Sequence, residues 1–198
     1  MDFKTYFENQ SRFRVVGIDP GFTGAIAVFN MRTGLLDYCR DMPVTERTRK
    51  YRSTAKAPGR VIDINQLLTF IGIFSHEVAI AVLESQNPRE TDGVSSAFKL
   101  GTQFGILQTA LMAHGIPTLP AIPSVWKSSM GLGPNKEDSI KKARKIFPTI
   151  KERIFFLRQK DHGRAEAALL AFVGAEALRN SIARTKRAEL GRHYEKRV

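Results

Sequence analysis

The sequence predicts an α/β domain whose mixed central sheet is flanked by helices. Strand-like segments at residues 15–18, 25–29 and 35–42 are separated by the turn residues Gly21 and Gly24 and by Thr33-Gly34, which predicts a three-stranded antiparallel meander. Residues 77–84, EVAIAVLE, contain an apolar run without alternation, which is typical of a central strand buried on both faces. Most of the remaining apolar segments have helical spacing.

Four segments are predicted helices, because their apolar residues recur at helical intervals: 65–74, 94–114, 135–146 and 165–180. Asp63 and Asn135 are residue types suited to cap the first and third of these helices. Residues 115–123, GIPTLPAIP, predict a short strand or an extended segment. The element order is therefore a meander, a helix, a central strand, and helices alternating with extended chain.

The composition predicts one domain and favours a polyanionic partner. A chain of 198 residues that is 42% apolar can bury one sizeable core, so we predict a folded domain over residues 1–180 and a basic, frayed tail over residues 181–198. The 31 Lys and Arg against 19 Asp and Glu, a formal charge of +12, favour nucleic acid as partner. Ribosomal and membrane-surface proteins share such a balance, so charge alone does not decide.

The cysteine count and the lengths of the apolar stretches indicate the cellular compartment of the protein. Cys39 is the only cysteine, which excludes an internal disulfide. No apolar stretch approaches the length of a membrane span or of a signal-peptide core. A reducing, cytoplasmic setting is therefore predicted.

Acidic residues stand where the predicted strands end and where the last helix begins. Asp19 ends the first strand, Glu84 ends the central strand, and the segment DHGRAE contains Asp161 and Glu166. His162 precedes Glu166 by four residues, so the two share a helix face. Carboxylates gathered in a basic protein repel one another unless a divalent cation offsets the repulsion, and Mg²⁺ takes such oxygen ligands. Two ions about 4 Å apart support phosphodiester hydrolysis.

Each of these residues also has an ordinary structural explanation. Asp19 lies in an Asp-Pro-Gly turn sequence, and Glu84 is a strand end that emerges into solvent. Asp161 is suited to cap a helix, Glu166 to its first turn, and His162 to the surface. The residues taken one by one leave both explanations open.

Five segments, GIDPGFTGAIAV, AVLESQ, SSAFKLGTQFGILQTAL, VWKSSMGLGPNKEDSI and DHGRAEAALLA, together resemble the RuvC family of Holliday-junction resolvases. The resemblance extends from about Arg14 to about Leu178 and implies the RNase H-like fold, in which parallel strands adjoin the meander. It also implies a metal-dependent endonuclease that cuts four-way DNA junctions as a homodimer. The chain looks like the shorter nucleases of this family from bacteriophages and prophages.

The resemblance implies roles for individual residues. Four acids would hold two Mg²⁺ ions, with Mn²⁺ as a substitute: Asp19, Glu84, Asp161 and Glu166. Lys127 would act at the scissile phosphate, and Lys136 would contact the DNA backbone unless it is simply a solvated surface charge. The basic segment 44–60 is predicted to be a loop that adds further DNA contacts through Arg47, Arg49, Lys50 and Arg52.

Two positions depart from the family pattern. The acids of the family's last motif are three residues apart, whereas Asp161 and Glu166 are five apart, so Asp161 and His162 both stay candidates for the fourth ligand. After Glu84 the family often has an aromatic residue that stacks on a base, and this chain has SQNPR instead. This departure predicts a range of branched substrates broader than the four-way junction.

Two other functions share parts of this pattern. GIDPGFTG also resembles the first phosphate-binding turn of sugar-kinase and actin-like ATPases, but the chain has no second phosphate loop and no adenosine-binding segment. A catalytically inactive DNA-binding module of the same fold is the other alternative, and the complete acidic set argues against it. For a dimer, the helix around Gln66 and the long helix through Phe98 and Phe104 are candidate surfaces, with core packing as the ordinary explanation.

Overall fold

The computed structural model of the chain describes residues 10–46, 59–87 and 93–195, and over residues 186–195 the backbone alone. The strands in these ranges are, in chain order, β1 (Arg14–Asp19), β2 (Ala25–Asn30), β3 (Leu35–Asp41), β4 (Val44–Glu46), β5 (Arg60–Ile62), β6 (Val78–Glu84) and β7 (Thr118–Ala121). The helices are α1 (Ile64–Phe74), α2 (Val94–Ala113), α3 (Pro123–Ser129), α4 (Lys136–Ile146), α5 (Ile150–Arg153) and α6 (His162–Glu195).

The main sheet confirms the predicted mixed topology. Its five strands lie in the order β3-β2-β1-β6-β7. β1, β2 and β3 pair antiparallel as the meander, and β6 and β7 run parallel to β1. This is the RNase H-like arrangement that the resemblance implied, with the two kinds of pairing joined at β1.

Helices cover both faces of this sheet. Because strand side chains alternate, Val15 on β1 belongs to the core cluster formed with α4 and α6, whereas Val16 and Ile18 belong to the cluster formed with α1 and α2. The predicted caps are confirmed, since the Asp63 side chain accepts a hydrogen bond from the Gln66 amide and begins α1. Asn135 caps α4 in the same way.

Two sequence predictions are corrected. The ends of the predicted basic loop form β4 and β5, which pair with each other, while residues 47–58, with Arg47, Arg49, Lys50 and Arg52, lie outside the described residues. The last helix begins at His162 and continues to Glu195, so the predicted helix end at residue 180 is wrong. Residues beyond 180 are mostly strong helix formers such as Ala, Arg, Lys and Glu, which explains the continuation without an apolar stripe.

Helix α6 lies unusually close to β1. A Cβ atom added at Gly17 would lie 2.0 Å from the Ala167 carbonyl oxygen and 2.3 Å from the Ala171 amide nitrogen. Glycine is therefore the residue that lets the helix backbone rest on the strand. In the part of the chain that the structure describes, no helix combines the length and the apolar character needed to cross a membrane.

Candidate metal centre

The carboxyl ends of β1 and β6 bring two acids together. The two strands are parallel, and their register pairs Ile18 with Leu83, so Asp19 and Glu84 come next at the same level of the sheet. Side-chain alternation points both residues toward the face covered by α6, because Val15 and Val82 lie in the core cluster of that face. Parallel strands thus place Asp19 beside Glu84.

Helix α6 supplies the third acid. One carboxylate oxygen each from Asp19, Glu84 and Glu166 lies within 4.8 Å of the other two. Glu84 and Glu166 are buried, at 6% and 8% exposure, and Asp19 is partly buried. The first turn of α6 lies close to the turn after β1, and the glycine at position 163 permits this. A Cβ added at Gly163 would lie only 2.5 Å from the Thr23 carbonyl oxygen. Three carboxylates therefore converge on one point.

This point opens into a cleft of about 330 Å³. Its walls come from the turn after β1, from the segment after β6, from α3, from the loop that leads into α4, and from the start of α6. The lining residues are Asp19, Pro20, Thr23, Gln86, Lys127, Gly133, Pro134, Asn135, Lys136, His162 and Glu166. Both lysines predicted from the resemblance thus lie at the cleft.

Each buried glutamate is held by a hydrogen-bond donor. The Trp126 indole Nε1 donates to Glu84 Oε1 at 3.0 Å, and the buried Ser139 hydroxyl donates to Glu166 Oε1 at 3.1 Å. Lys127 Nζ lies 3.0 Å from both oxygens of Glu166 and 4.0 Å from Glu84 Oε1. These contacts fix the carboxylate orientations and leave Lys127 next to the acids.

The carboxylates are costly to keep charged. Burial raises the pKa of Asp19 well above its ordinary value, and the carboxylates of Glu166 and Glu84 raise it further. Lys127 and Lys136 oppose this shift without cancelling it. Burial also raises the pKa of Glu84, against the hydrogen bond from Trp126. Burial thus makes Asp19 and Glu84 costly to ionise, and three carboxylates at one point form the all-oxygen donor set that suits a hard divalent cation.

We expect Asp19→Asn to stabilise the protein at neutral pH in the presence of EDTA. A raised pKa in the folded state means that ionised Asp19 costs stability, a cost that begins above the unfolded pKa of about 3.9 and is complete above the folded pKa. The melting temperature of Asp19→Asn at pH 7 should therefore lie above that of the wild type, and the difference should shrink as the pH falls toward 4. Thermal melts of both proteins from pH 4 to pH 8 measure this difference. An equal difference in melting temperature at pH 4 and at pH 8 would contradict the predicted linkage.

The structure separates Asp161 from the other acids. Its oxygen Oδ2 accepts from the Arg158 amide at 2.8 Å, and Oδ1 accepts from Arg158 Nε at 2.8 Å. Burial would raise the pKa of Asp161, but its hydrogen bonds to Arg158 and the charge of Arg158 outweigh burial and lower it. The expectation that Asp161 joins the cluster is therefore not met, and of the two candidates His162 is the one that lines the cleft.

Three residues of the site were missed from the sequence, one that lines the cleft and two buried donors that contact its acids. Gln86 lines the cleft two residues after Glu84, Trp126 precedes Lys127, and Ser139 lies one helical turn after Lys136. Adjacency to predicted site residues was the available signal for all three. Nothing in a local pattern shows that Trp126 and Ser139 contact acids 42 and 27 positions away along the chain.

Known proteins were compared with this chain. No protein-family model matches it, and no curated protein does. Among solved structures, it is similar to "T. thermophilus RuvC in complex with Holliday junction substrate", with 17% identity and a TM-score of 0.49 over 79% of this chain and 91% of that one. It is also similar to "Thermus thermophilus RuvC structure", with 18% identity and a TM-score of 0.43 over 82% and 97% of the two chains. Function is therefore inferred from the cleft's own side chains.

Proposed function

We propose that this protein is a metal-dependent endonuclease that cuts four-way DNA junctions and related branched DNA. The observation that carries the proposal is the convergence of Asp19, Glu84 and Glu166 within 4.8 Å at the bottom of an open cleft, in a chain with a net charge of +12. Acids that gather against their mutual repulsion favour a divalent cation, and the excess of positive charge elsewhere favours a phosphate backbone.

Mg²⁺, with Mn²⁺ as a substitute, is the cation that fits this all-oxygen donor set, and we propose that two ions are held by Asp19, Glu84 and Glu166. His162 at the cleft wall is the candidate for a fourth ligand, in place of Asp161. When bound, the ions would activate the attacking water and stabilise the leaving oxygen of the phosphodiester. The Trp126 and Ser139 donors would hold both glutamates in orientation throughout.

Lys127 is suited to contact the scissile phosphate. Its ammonium lies 3.0 Å from Glu166, so it already faces the reacting point, and it is partly buried, which reduces competition from water. A cation aimed at the non-bridging phosphate oxygens stabilises the charge that develops as the bond breaks. Lys136, exposed on the same cleft, is placed to bind a phosphate farther along the strand.

A homodimer suits a two-fold symmetric junction, since two opposed sites then cut symmetry-related strands. As its contact surface we propose an apolar groove between α1 and α2, lined by Ile64, Leu68, Thr102, Gly105, Ile106, Thr109, Ala110 and Ala113. This groove lies on the predicted helices, on the face of the sheet opposite to α6. Both dimerisation and a cytoplasmic setting of phage or bacterial type belong to the proposal.

The site favours a nuclease over both alternatives. A DNA-binding module without catalysis has no use for three carboxylates at the centre of its DNA-binding cleft, because they repel phosphates. An ATPase of the actin or sugar-kinase type needs a second phosphate-binding loop, which the sequence lacks. Phosphodiester hydrolysis uses both features, since the acids would hold the metal ions and the basic surroundings would bind the DNA backbone.

The proposal is tested by incubating the purified protein with labelled four-way junction, flap and linear duplex DNA, with Mg²⁺ and with EDTA. Paired incisions near the crossover, dependent on Mg²⁺, are expected for the junction, with little cutting of linear duplex. Binding of the junction without cleavage at any metal concentration would instead support the inactive module. Release of phosphate from ATP would support the ATPase.

We expect the basic segment 44–60 to contribute salt-dependent affinity. Replacing Arg47, Arg49, Lys50 and Arg52 by Ala should weaken binding to every DNA form, and the log-log salt slope should fall by about 0.9 for each duplex phosphate contact that is lost. The preference for junctions should persist, because it depends on shape and on the geometry of two sites. Titrations at several salt concentrations measure both, and an unchanged slope would show that these residues do not meet phosphates.

A further inference from the structure

The segment after α4 has an apolar side that the core of the domain does not use. Helix α5 continues into the 3-10 turn Ile154–Phe156 without a break in helical backbone. The inner side of this stretch carries Glu152 and Phe156, which are both buried. Its outer side presents three aliphatic residues that are 86%, 54% and 67% exposed: Ile150, Ile154 and Leu157.

These three residues form one stripe, which we call the outer stripe. Side chains four and seven positions apart lie on the same side of a helical stretch. A single exposed leucine on a protein surface is ordinary. Large aliphatic side chains grouped on one side, where the core gains nothing from them, instead indicate a contact surface.

The outer stripe ends at a cavity of about 310 Å³ between α4 and the residues that follow Phe156. Its lining combines apolar and basic side chains with one acid: Ile140, Leu157, Lys141, Arg144, Arg158 and Glu137. The Glu137 carboxylate lies 3.9 Å from the Lys141 ammonium, one turn along the same helix. This cavity and the metal-centre cleft have no lining residue in common, so an occupant of one does not fill the other.

The surroundings of the outer stripe are strongly basic. Residues 139–160 contain eight Lys and Arg and one acid, Glu152. The Glu152 carboxylate is turned inward, where its Oε1 accepts a hydrogen bond from the Leu36 amide at 3.0 Å. Lys151 and Arg153, its neighbours in the chain, are exposed. A partner that covers the stripe is therefore favoured if it carries negative charge.

The apolar stripe and the cavity together distinguish between kinds of anionic partner. Duplex phosphates pair with cations but gain little from exposed aliphatic side chains, and Phe155 and Phe156 are too buried to stack on bases. A membrane surface has no projection that fills a cavity, and interfacial helices are longer than this stretch. A peptide with acids and large apolar side chains matches the cations, the stripe and the cavity at once.

We propose that the outer stripe and its cavity bind an acidic segment of a partner protein through large apolar anchors. One anchor fills the cavity between Ile140 and Leu157, and a second packs on Ile150 and Ile154. The carboxylates of the segment face the surrounding cations, Lys141 among them. The inference goes beyond the proposed nuclease activity and does not depend on it, because the surface lies outside the cleft.

The test uses fluorescein-labelled peptides of Asp and Glu in which Leu or Phe recurs four residues apart, titrated with the protein and followed by anisotropy. Combining Ile154→Ser with Leu157→Ser should weaken binding by about tenfold or more, because the anchors lose their apolar contacts. Lys141→Glu should also weaken binding and flatten its salt dependence. All three changes are on exposed side chains, so the melting temperature should stay at the wild-type value.

The matched control is Ile73→Ser, which removes an isoleucine of 65% exposure from α1, away from the stripe. This variant should bind the peptides as wild type does. Peptides with Ser in place of Leu and Phe, or with Lys in place of the acids, should bind wild type far more weakly. Equal affinity of wild type and the double variant would overturn the inference. An acidic peptide that binds wild type no better than its Ser version would do the same.

Three further outcomes would overturn the inference by assigning the surface to another partner. Junction DNA that displaces the peptide, or that binds the double variant about tenfold more weakly, would assign it to DNA. Phosphatidylserine vesicles that retain wild type but not the double variant would assign it to a membrane. Loss of a dimer in the double variant would assign it to a second copy of the chain. Absence of cleavage by wild type would refute the nuclease alone, because peptide binding is measured without it.

Discussion

Asp19→Asn and Glu84→Gln should each lower metal-dependent junction cleavage by about 10³-fold or more while leaving junction affinity within a few-fold of wild type. Both changes keep side-chain size and remove the charge that would hold the cations. Phosphate contacts elsewhere are untouched, so DNA should still bind. Single-turnover cleavage and a binding titration without metal separate the two effects.

The same variants can be followed by a signal that does not depend on activity. Trp126 is the only tryptophan of the chain, and its indole donates directly to Glu84. Adding Mn²⁺ or Mg²⁺ to wild type should change the intrinsic fluorescence with a saturating dependence, because the cation alters the charge and position of that carboxylate. In Asp19→Asn the saturation should shift to higher metal concentration.

A matched control is Asp63→Asn, which makes the same chemical change at the cap of α1, where Asn caps as well as Asp. Its cleavage rate and metal titration should equal those of wild type. Full nuclease activity in Asp19→Asn or in Glu84→Gln would show that the carboxylate cluster is not required for cleavage. That conclusion would hold for any result with Asp63→Asn.

Gly17→Ala should destabilise the fold by about 3 kcal/mol or more, since overpacking against backbone cannot be relieved by a rotamer change. The added Cβ would lie 2.0 Å from the Ala167 carbonyl oxygen, so α6 would have to move away from β1. Because α6 carries Glu166, the third carboxylate would leave Asp19, and activity should fall together with stability. Thermal or denaturant unfolding and the cleavage assay measure the two consequences.

Gly101→Ala is the control for this change. Gly101 lies inside α2, and a Cβ added there has no heavy atom within 4 Å outside its own helical surroundings. Alanine should therefore be neutral or stabilising by about 0.5–1 kcal/mol. If Gly17→Ala were as stable as Gly101→Ala, the close packing of α6 on β1 would not be what holds the site together.

Much of the fold could be predicted because its signals are local. Apolar runs and turn residues located β1, β2 and β3, and the unbroken apolar run of residues 77–84 located β6. Caps at Asp63 and Asn135 located two helix starts. Helices α3 and α5 were not predicted, because two turns or fewer carry no periodicity.

By itself, the sequence determined that acids end β1 and β6 and stand near the start of α6, and parallel strands ending at one edge then bring Asp19 and Glu84 together. Only the tertiary structure decided that Glu166 completes the cluster while Asp161 is bound by Arg158, and that Trp126 and Ser139 orient the acids. The physical reason is that periodicity shows which side of an element is buried. Which distant side chain meets it depends on how closely elements approach, and here that approach is set by Gly17 on β1 and by Gly163 in the first turn of α6.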